Sequence, residues 1–209
     1  MKDIKVLFKN SQFIIILCCF ALIYALYICM GSIVGIMLGH FCYTTTETSI
    51  ISLFFVLLGV IGSAVNAILL DKYKAYKKQL VLIGVFVCVS IFALFFLLKT
   101  GNPYLGAIGL GVMGFNVISI IAHGYSCGCK ISYPIGEGST LGVMLILATL
   151  LGVGLAFLSS WILSLDAYKE VLCDPNTDIP ENPPNPIFYI CGGMAVVGTF
   201  LASVVKFPQ

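Results

Sequence analysis

An all-α, polytopic membrane protein of six spans is the fold class that three features of this sequence predict. Hydrophobic residues make up 60% of the 209 positions and charged residues 10%, with a mean hydropathy of +1.08, far outside the range of a soluble globular domain. The apolar residues fall in six runs, each near the ~20 residues that one crossing requires. Within each run they are continuous and do not alternate, which favours helices over a membrane barrel.

The elements follow in order. Positions 1–11 carry Lys2, Lys5 and Lys9 ahead of an apolar run too long for a cleaved signal peptide, so they read as a retained lead-in. The bundle occupies 12–206, with span one at 12–38 and span two at 48–70, joined by the short link 42–47. Span three follows at 80–98, and the link 99–103 leads into span four at 103–126. Span five covers 139–165, span six 187–205, and 207–209 form a tail. Links this short make consecutive helices antiparallel neighbours. The loop between spans five and six holds Pro175, Pro180, Pro183, Pro184 and Pro186 and reads as irregular, with polyproline character.

Lysine placement sets the expected orientation. Lys2, Lys5 and Lys9, the group Lys72, Lys74, Lys77 and Lys78, then Lys130, and finally Lys206 all fall on one side of a six-span chain. The other side holds Glu47, Lys99 and the acidic set Asp166, Glu170, Asp174, Asp178 and Glu181. By the positive-inside rule both termini are cytoplasmic. The sequence contains no arginine, and its lysines match a membrane margin and not a nucleic-acid surface.

Nine cysteines are present, but Cys18, Cys19, Cys29, Cys88 and Cys191 lie inside spans, where thiols behave as small, soft apolar groups. Cys42 and Cys173 fall near the outer face, and a disulfide between them is left open by the sequence. Gly31, Gly35 and Gly39 recur every four residues on span one. Span four holds Gly106, Gly109, Gly111 and Gly114, and span five Gly138, Gly142, Gly152 and Gly154. Such faces admit a second helix closely, either as static packing or as surfaces that rock during transport.

Polar residues at membrane depth cost free energy unless they find a partner or line water. Asn66 lies late in span two. Asn116, in mid span four, is placed either to bond a solute in a central cavity or to bridge helices. His40 and His123 are expected as solvated residues near the interfaces. One turn separates His123 from Cys127, with Cys129 beyond, but one His and a C-x-C lack a further ligand pair, so no metal site is expected. No G-x-S-x-G, H-E-x-x-H or phosphate-binding glycine loop is present. Neither a cofactor nor an enzymatic activity is expected.

Two polar loops are more specific. In loop 71–78 Asp71 leads Lys72, Lys74, Lys77 and Lys78. A carboxylate with nearby cations can pair with neighbouring helix ends in one state and release them in another. In loop 132–140 Tyr133-Pro134 precedes Glu137-Gly138. Glu137 opens a helix, where a carboxylate meets the positive end of the helix dipole.

Together these loops resemble those of the major facilitator superfamily, and the chain looks like the C-terminal half of a transporter in the feline leukaemia virus subgroup C receptor-related family, the branch that includes relatives of the renal-carcinoma-disrupted protein. Gly62 with Leu70-Asp71-Lys72 and Lys74-Ala75-Tyr76-Lys77 resembles the family's loop after its eighth span. Gly111, Gly114-Phe115 and Gly124 are similar to its tenth span, and Tyr133-Pro134, Glu137-Gly138 and Gly142 to its loop into the eleventh. The likeness covers most of 10–160.

The resemblance implies a major-facilitator half made of two three-helix repeats. It implies transport of a small organic solute, such as a haem- or choline-like amine, by alternating access. Phe20 stands where several members carry a Tyr, Thr149 where choline-transporting members carry a Gln, and Ser126 and Lys130 where acidic residues often stand. The substrate-facing set implied here is Phe20, Tyr24, Tyr27, Asn116 and Thr149, with aromatic rings suited to cations. The cytoplasmic gate set is Asp71, Lys72, Lys74, Tyr133 and Glu137. A full transporter has a second six-helix half, so the implied partners are the bilayer, the solute and such a half. That half is the missing N-terminal one, this chain itself, or another chain. The chain reads as part of a longer transporter, as a half-transporter, or as a non-transporting scaffold derived from one, in a plasma, lysosomal or vacuolar membrane.

Overall fold

The computed structural model describes residues 7–41, 43–165 and 185–205. Cys42, Cys173, Lys2, Lys5, Lys206, the acidic set from Asp166 to Glu181 and the proline-rich stretch before Asn185 lie outside the described residues. Among the described residues, six helices are long and apolar enough to cross a membrane. They are α1 (Ser11–Gly39), α2 (Thr45–Tyr73), α3 (Tyr76–Leu98), α4 (Pro103–Ser132), α5 (Glu137–Leu163) and α6 (Asn185–Val204). Even the shortest, at 20 residues, rises about 30 Å, the thickness of the hydrocarbon core.

The helix ends follow local chemistry. Asn10 caps α1 by accepting the Gln12 N–H at 3.1 Å. Thr44 and Glu47 form a reciprocal capping box on α2, with Thr44 N–H donating to Glu47 Oε2 at 2.8 Å, so this helix starts three residues before the expected 48. Asn102 caps α4, where Pro103 occupies the first turn without needing its missing N–H.

Two expectations are corrected. Most of the segment 71–78 is helix: Asp71, Lys72 and Tyr73 close α2, Tyr76, Lys77 and Lys78 open α3, and only Lys74 and Ala75 lie between them. Lys74 makes the reversal by adopting a left-handed conformation (φ 49°) while its N–H bonds Leu70 O at 2.8 Å. Likewise α4 continues six residues past 126, to Ser132. Lys130 is therefore in its last turn, and the expected interfacial His123 is fully buried.

Packing is organised around α1 and α4, the two most buried helices. The α1 helix packs on α5 and α6, and α4 packs on α2 and α3, while α1 meets α4 and α3 meets α6 across the middle. Exchanging the first three helices for the last three turns each of these pairings into another, the internal symmetry of two three-helix repeats. The α2 and α5 helices leave large apolar side chains exposed, among them Leu53, Val60, Ile68, Ile146, Leu150 and Phe157. Such surface is at home only in lipid, and the molecule is an integral, multi-pass membrane protein.

Lipid offers apolar side chains no less than another helix does, so association rests on close packing and polar contacts. The α2–α4 contact is the tightest. A Cβ added at Gly114 would fall on the carbonyl oxygen and ring of Phe55, and one at Gly62 on the carbonyl oxygen and ring of Phe115. A polar link supports it: Asn66 Nδ2 donates to Ser119 Oγ at 3.0 Å, while Gln79 Nε2 of α3 donates to Asn66 O at 2.9 Å and ties α3 to α2. Elsewhere Cys29 Sγ lies 3.4 Å from Ser159 Oγ, and Cys88 Sγ 3.5 Å from Thr199 Oγ1.

Candidate functional site

Phe20, Tyr24 and Tyr27 are separated by four and three residues, which puts their rings on one face of α1. The rings form a continuous row. Phe20 and Tyr24 stack with centroids 5.3 Å apart, and Tyr24 and Tyr27 lie 5.8 Å apart. Two further rings extend it from other helices. Tyr125 of α4 lies 5.5 Å from Phe20, and Phe55 of α2 stacks on Tyr27 at 6.3 Å. The row therefore climbs from near the end of α4 toward the start of α2. The family resemblance singled out Phe20 and helical spacing added Tyr24 and Tyr27 to it; Tyr125 and Phe55 join the row only through the fold.

Its members differ in access. Phe20 is buried, its ring filling the space where a side chain on Gly124 would stand. Tyr24, Tyr27 and Tyr125 are half-buried and keep part of each ring accessible. Above Tyr27 the row opens into a groove between α1 and α2, with a volume of about 290 Å³, lined by Tyr27, Gly31, Ser32, Ser52 and Phe55. The groove exists because Gly31 projects nothing into it and meets nothing within 4 Å. Ser32 and Ser52 donate their hydroxyls to Ile28 O and Thr48 O of their own helices. Each retains acceptor capacity.

The other substrate-facing candidates stand apart from the row. Asn116 is 8% exposed and donates to Val112 O at 2.9 Å within its own helix. Thr149, half-buried on α5, donates to Leu145 O at 2.7 Å. Asn66 makes the interhelical bond to Ser119.

The gate candidates fall at two places. Asp71, Lys72 and Lys74 are exposed at the α2–α3 turn, and Lys72 Nζ lies 5.7 Å from the Tyr73 ring centre. Tyr133, 85% exposed, and Glu137, exposed in the first turn of α5, flank the α4–α5 turn with its cis Tyr133–Pro134 bond. Buried Thr140 donates to Ser132 Oγ at 2.9 Å and pins the two ends of that turn together. Lys130, in the last turn of α4, reaches the start of α3, where its Nζ lies 4.2 Å from the Tyr76 ring centre in a cation–π contact.

Two other polar residues are placed clearly. His123 Nδ1 lies 3.0 Å from Ser119 O, while its buried Nε2 has no partner. His40, partly exposed, holds Ile36 O at 2.8 Å through Nδ1.

No family model matches the chain. Curated proteins do. It is similar to the choline/ethanolamine transporter FLVCR2 of Homo sapiens, 25% identical over 148 residues that make up 70% of this chain and 28% of the relative. Similarity to the choline/ethanolamine transporter FLVCR1 of Mus musculus extends over 199 residues at 23% identity, 95% of this chain and 33% of the relative. An uncharacterised major-facilitator-type transporter of Caenorhabditis elegans is 24% identical over 156 residues, 74% of this chain and 27% of the relative. The resemblance of the chain to that transporter family is thus borne out. The chain spans about a third or less of the length of these relatives.

Proposed function

We propose that this chain forms a six-helix half of a solute carrier that moves a small organic amine or quaternary ammonium ion by alternating access. The observation that carries this reading is the aromatic row with half-buried Tyr24, Tyr27 and Tyr125, opening into the α1–α2 groove. Ring faces attract a desolvated cation without demanding a counter-charge, and the similarity to choline/ethanolamine transporters fits that chemistry. Phe20 packs the base of the row, and Asn116 and Thr149 complete the cavity wall once a second half encloses it. That second half is another six-helix unit, whether from the same polypeptide, a second copy or another chain.

In this reading the lysine-rich side is cytoplasmic, with the lead-in 1–11 and the tail 207–209 on that side of a plasma, lysosomal or vacuolar membrane. Asp71, Lys72, Lys74, Tyr133 and Glu137 then form the cytoplasmic gate, bonding to the partner half in one state and releasing it in the other.

The test is uptake of labelled choline and ethanolamine into vesicles containing the chain with its partner half. Tyr24→Ala and Tyr27→Ala should each lower uptake about tenfold, the scale of one cation–π contact of roughly 1.4 kcal/mol, whereas the Phe variants should retain most of it. Uptake no greater than in empty vesicles would sink the reading. Asp71→Ala and Glu137→Ala should slow turnover; if both leave it unchanged, the gate assignment is wrong.

A further inference from the structure

A second groove lies between α2 and α3, at the lysine-rich end of the bundle and away from the aromatic row. It has a volume of about 360 Å³ and is lined by Asn66, Leu69, Tyr73, Lys78, Gln79 and Leu82. Asn66, Leu69 and Tyr73 recur at three and four residues, so they form one face of α2, while Lys78 and Leu82 share a face of α3. Leu82 and Tyr73 are 55% and 65% exposed, so the walls are apolar and open to the surroundings of the bundle. The floor is closed: Gln79 bonds Asn66 O, and Asn66 bonds Gly62 O and Ser119 Oγ. Both donors of the Asn66 amide and one of Gln79's are therefore spent on the protein.

The charge at this groove is of one sign. Lys78 lines it, Lys72 lies over Tyr73 at its mouth, and Lys74 and Lys77 flank the turn, all exposed. The nearby carboxylate, Asp71, is two residues from both Leu69 and Tyr73, which places it on the opposite side of α2. An apolar slot with a cationic mouth at the edge of a membrane bundle matches an amphiphile with an apolar tail and an anionic head.

We propose that the α2–α3 groove binds an anionic phospholipid. One acyl chain lies along Leu69, Tyr73 and Leu82, and the phosphate lies at Lys78 with Lys72, Lys74 and Lys77 around it. This site rests on insertion of the bundle in a bilayer and on no particular transported solute. It assigns a use to Lys77 and Lys78, which the proposed gate does not include, and adds a lipid contact to Lys72 and Lys74, which it does.

Native mass spectrometry of the full chain tests it, using detergent micelles supplied with phosphatidylserine or phosphatidylcholine at equal concentration. Phosphatidylserine should be retained preferentially. Lys78→Gln should weaken retention about fivefold, the effect of one lysine near an anionic surface, and Leu82→Trp, which fills the slot, should abolish the preference. Lys99→Gln, at the opposite end of α3 from the groove, should leave it unchanged. Glycerophosphoserine, the head without its chains, should not compete. Equal retention of both lipids would overturn the proposal, as would an unaltered preference in both groove variants or full competition by the chainless head.

Discussion

Gly31, Gly35 and Gly39 along α1 and Gly111 and Gly114 along α4 have spacings that gather each set on one face of its helix, but the two faces meet opposite surroundings. The α4 face is sealed: the space a side chain would need at Gly114 is taken by the Phe55 backbone and ring, and at Gly111 by Leu58. On α1, a Cβ at any of the three glycines would meet nothing within 4 Å. One set serves a closed helix pair, while the other leaves open the upper wall of the aromatic groove. Small residues at helical spacing thus mark backbone that something must approach, and only the fold tells whether that something is another helix of the same bundle or lies outside it.

The largest effect should come from filling the sealed face. Gly114→Leu places atoms where Phe55 O already stands, and backbone cannot rotate away as a side-chain tip can. A loss of about 3 kcal/mol of stability is expected, read as a lowered unfolding midpoint in mild detergent. An unchanged midpoint would mean that α2 and α4 do not pack as described.

Filling the open face should act differently. Gly31→Leu has room, so stability should change by no more than about 0.5 kcal/mol. Its side chain should nevertheless occupy the 290 Å³ groove beside Tyr27 and suppress solute uptake. Destabilisation equal to that of Gly114→Leu would erase the distinction between the two faces. If a second six-helix half covers α1, Gly31→Leu should also weaken that association, shown as a smaller particle on size measurement in mild detergent.

How far the sequence foretold this depends on the kind of information each feature needs. Six helices were legible because each is a continuous apolar run, a property of neighbouring residues. Tyr24 and Tyr27 were legible as one stripe with Phe20 for the same reason, once the family resemblance had singled out Phe20. Tyr125 and Phe55 were not, since they reach the stripe from helices distant in sequence. His123 was misplaced because Ser126, Cys127, Gly128, Cys129 and Lys130 look like the end of a span. The helix continues through them: Ser126 and Ser132 turn their hydroxyls back onto Ala122 O and Gly128 O, and Lys130 lies on the ring of Tyr76. The Asp71 segment looked like a loop because charge is unusual in a span. Local capping at Lys74 instead lets both helices run almost to the turn.

A smaller effect is expected beside the sealed face, at Asn66. Its side chain bonds Ser119 Oγ at 3.0 Å and Gly62 O at 3.0 Å, adding a polar clasp to the glycine contact. Asn66→Leu should cost about 1 kcal/mol, well below the Gly114 substitution. A double variant with Ser119→Ala should cost little more than Asn66→Leu alone, since both remove the same bond. Full additivity would show that the two residues act separately.

The smallest effect at neutral pH concerns Tyr43, which closes the end of the same sealed region where α4 begins. Its hydroxyl donates to Leu98 O at 3.4 Å and would lie 3.3 Å from a Cβ at Gly106, so the first glycine of α4 makes room for it. Burial, and secondarily the charge of Glu47, pushes this phenol up to about 12 from its ordinary value of 10.0. Below the ordinary value the phenol is protonated in both folded and unfolded chains and stability does not depend on pH through it. Between the two values the unfolded chain releases the proton while the folded chain keeps it, so stability falls as pH rises and the contribution is gone above the folded value. Tyr43→Phe should therefore leave the unfolding midpoint at neutral pH nearly unchanged and flatten its decline at high pH. Absorbance titration should lose one late tyrosinate step in the variant. A step that instead titrates near the ordinary value would place Tyr43 in water, and the first turn of the α4 face would then be as open as the glycine face of α1.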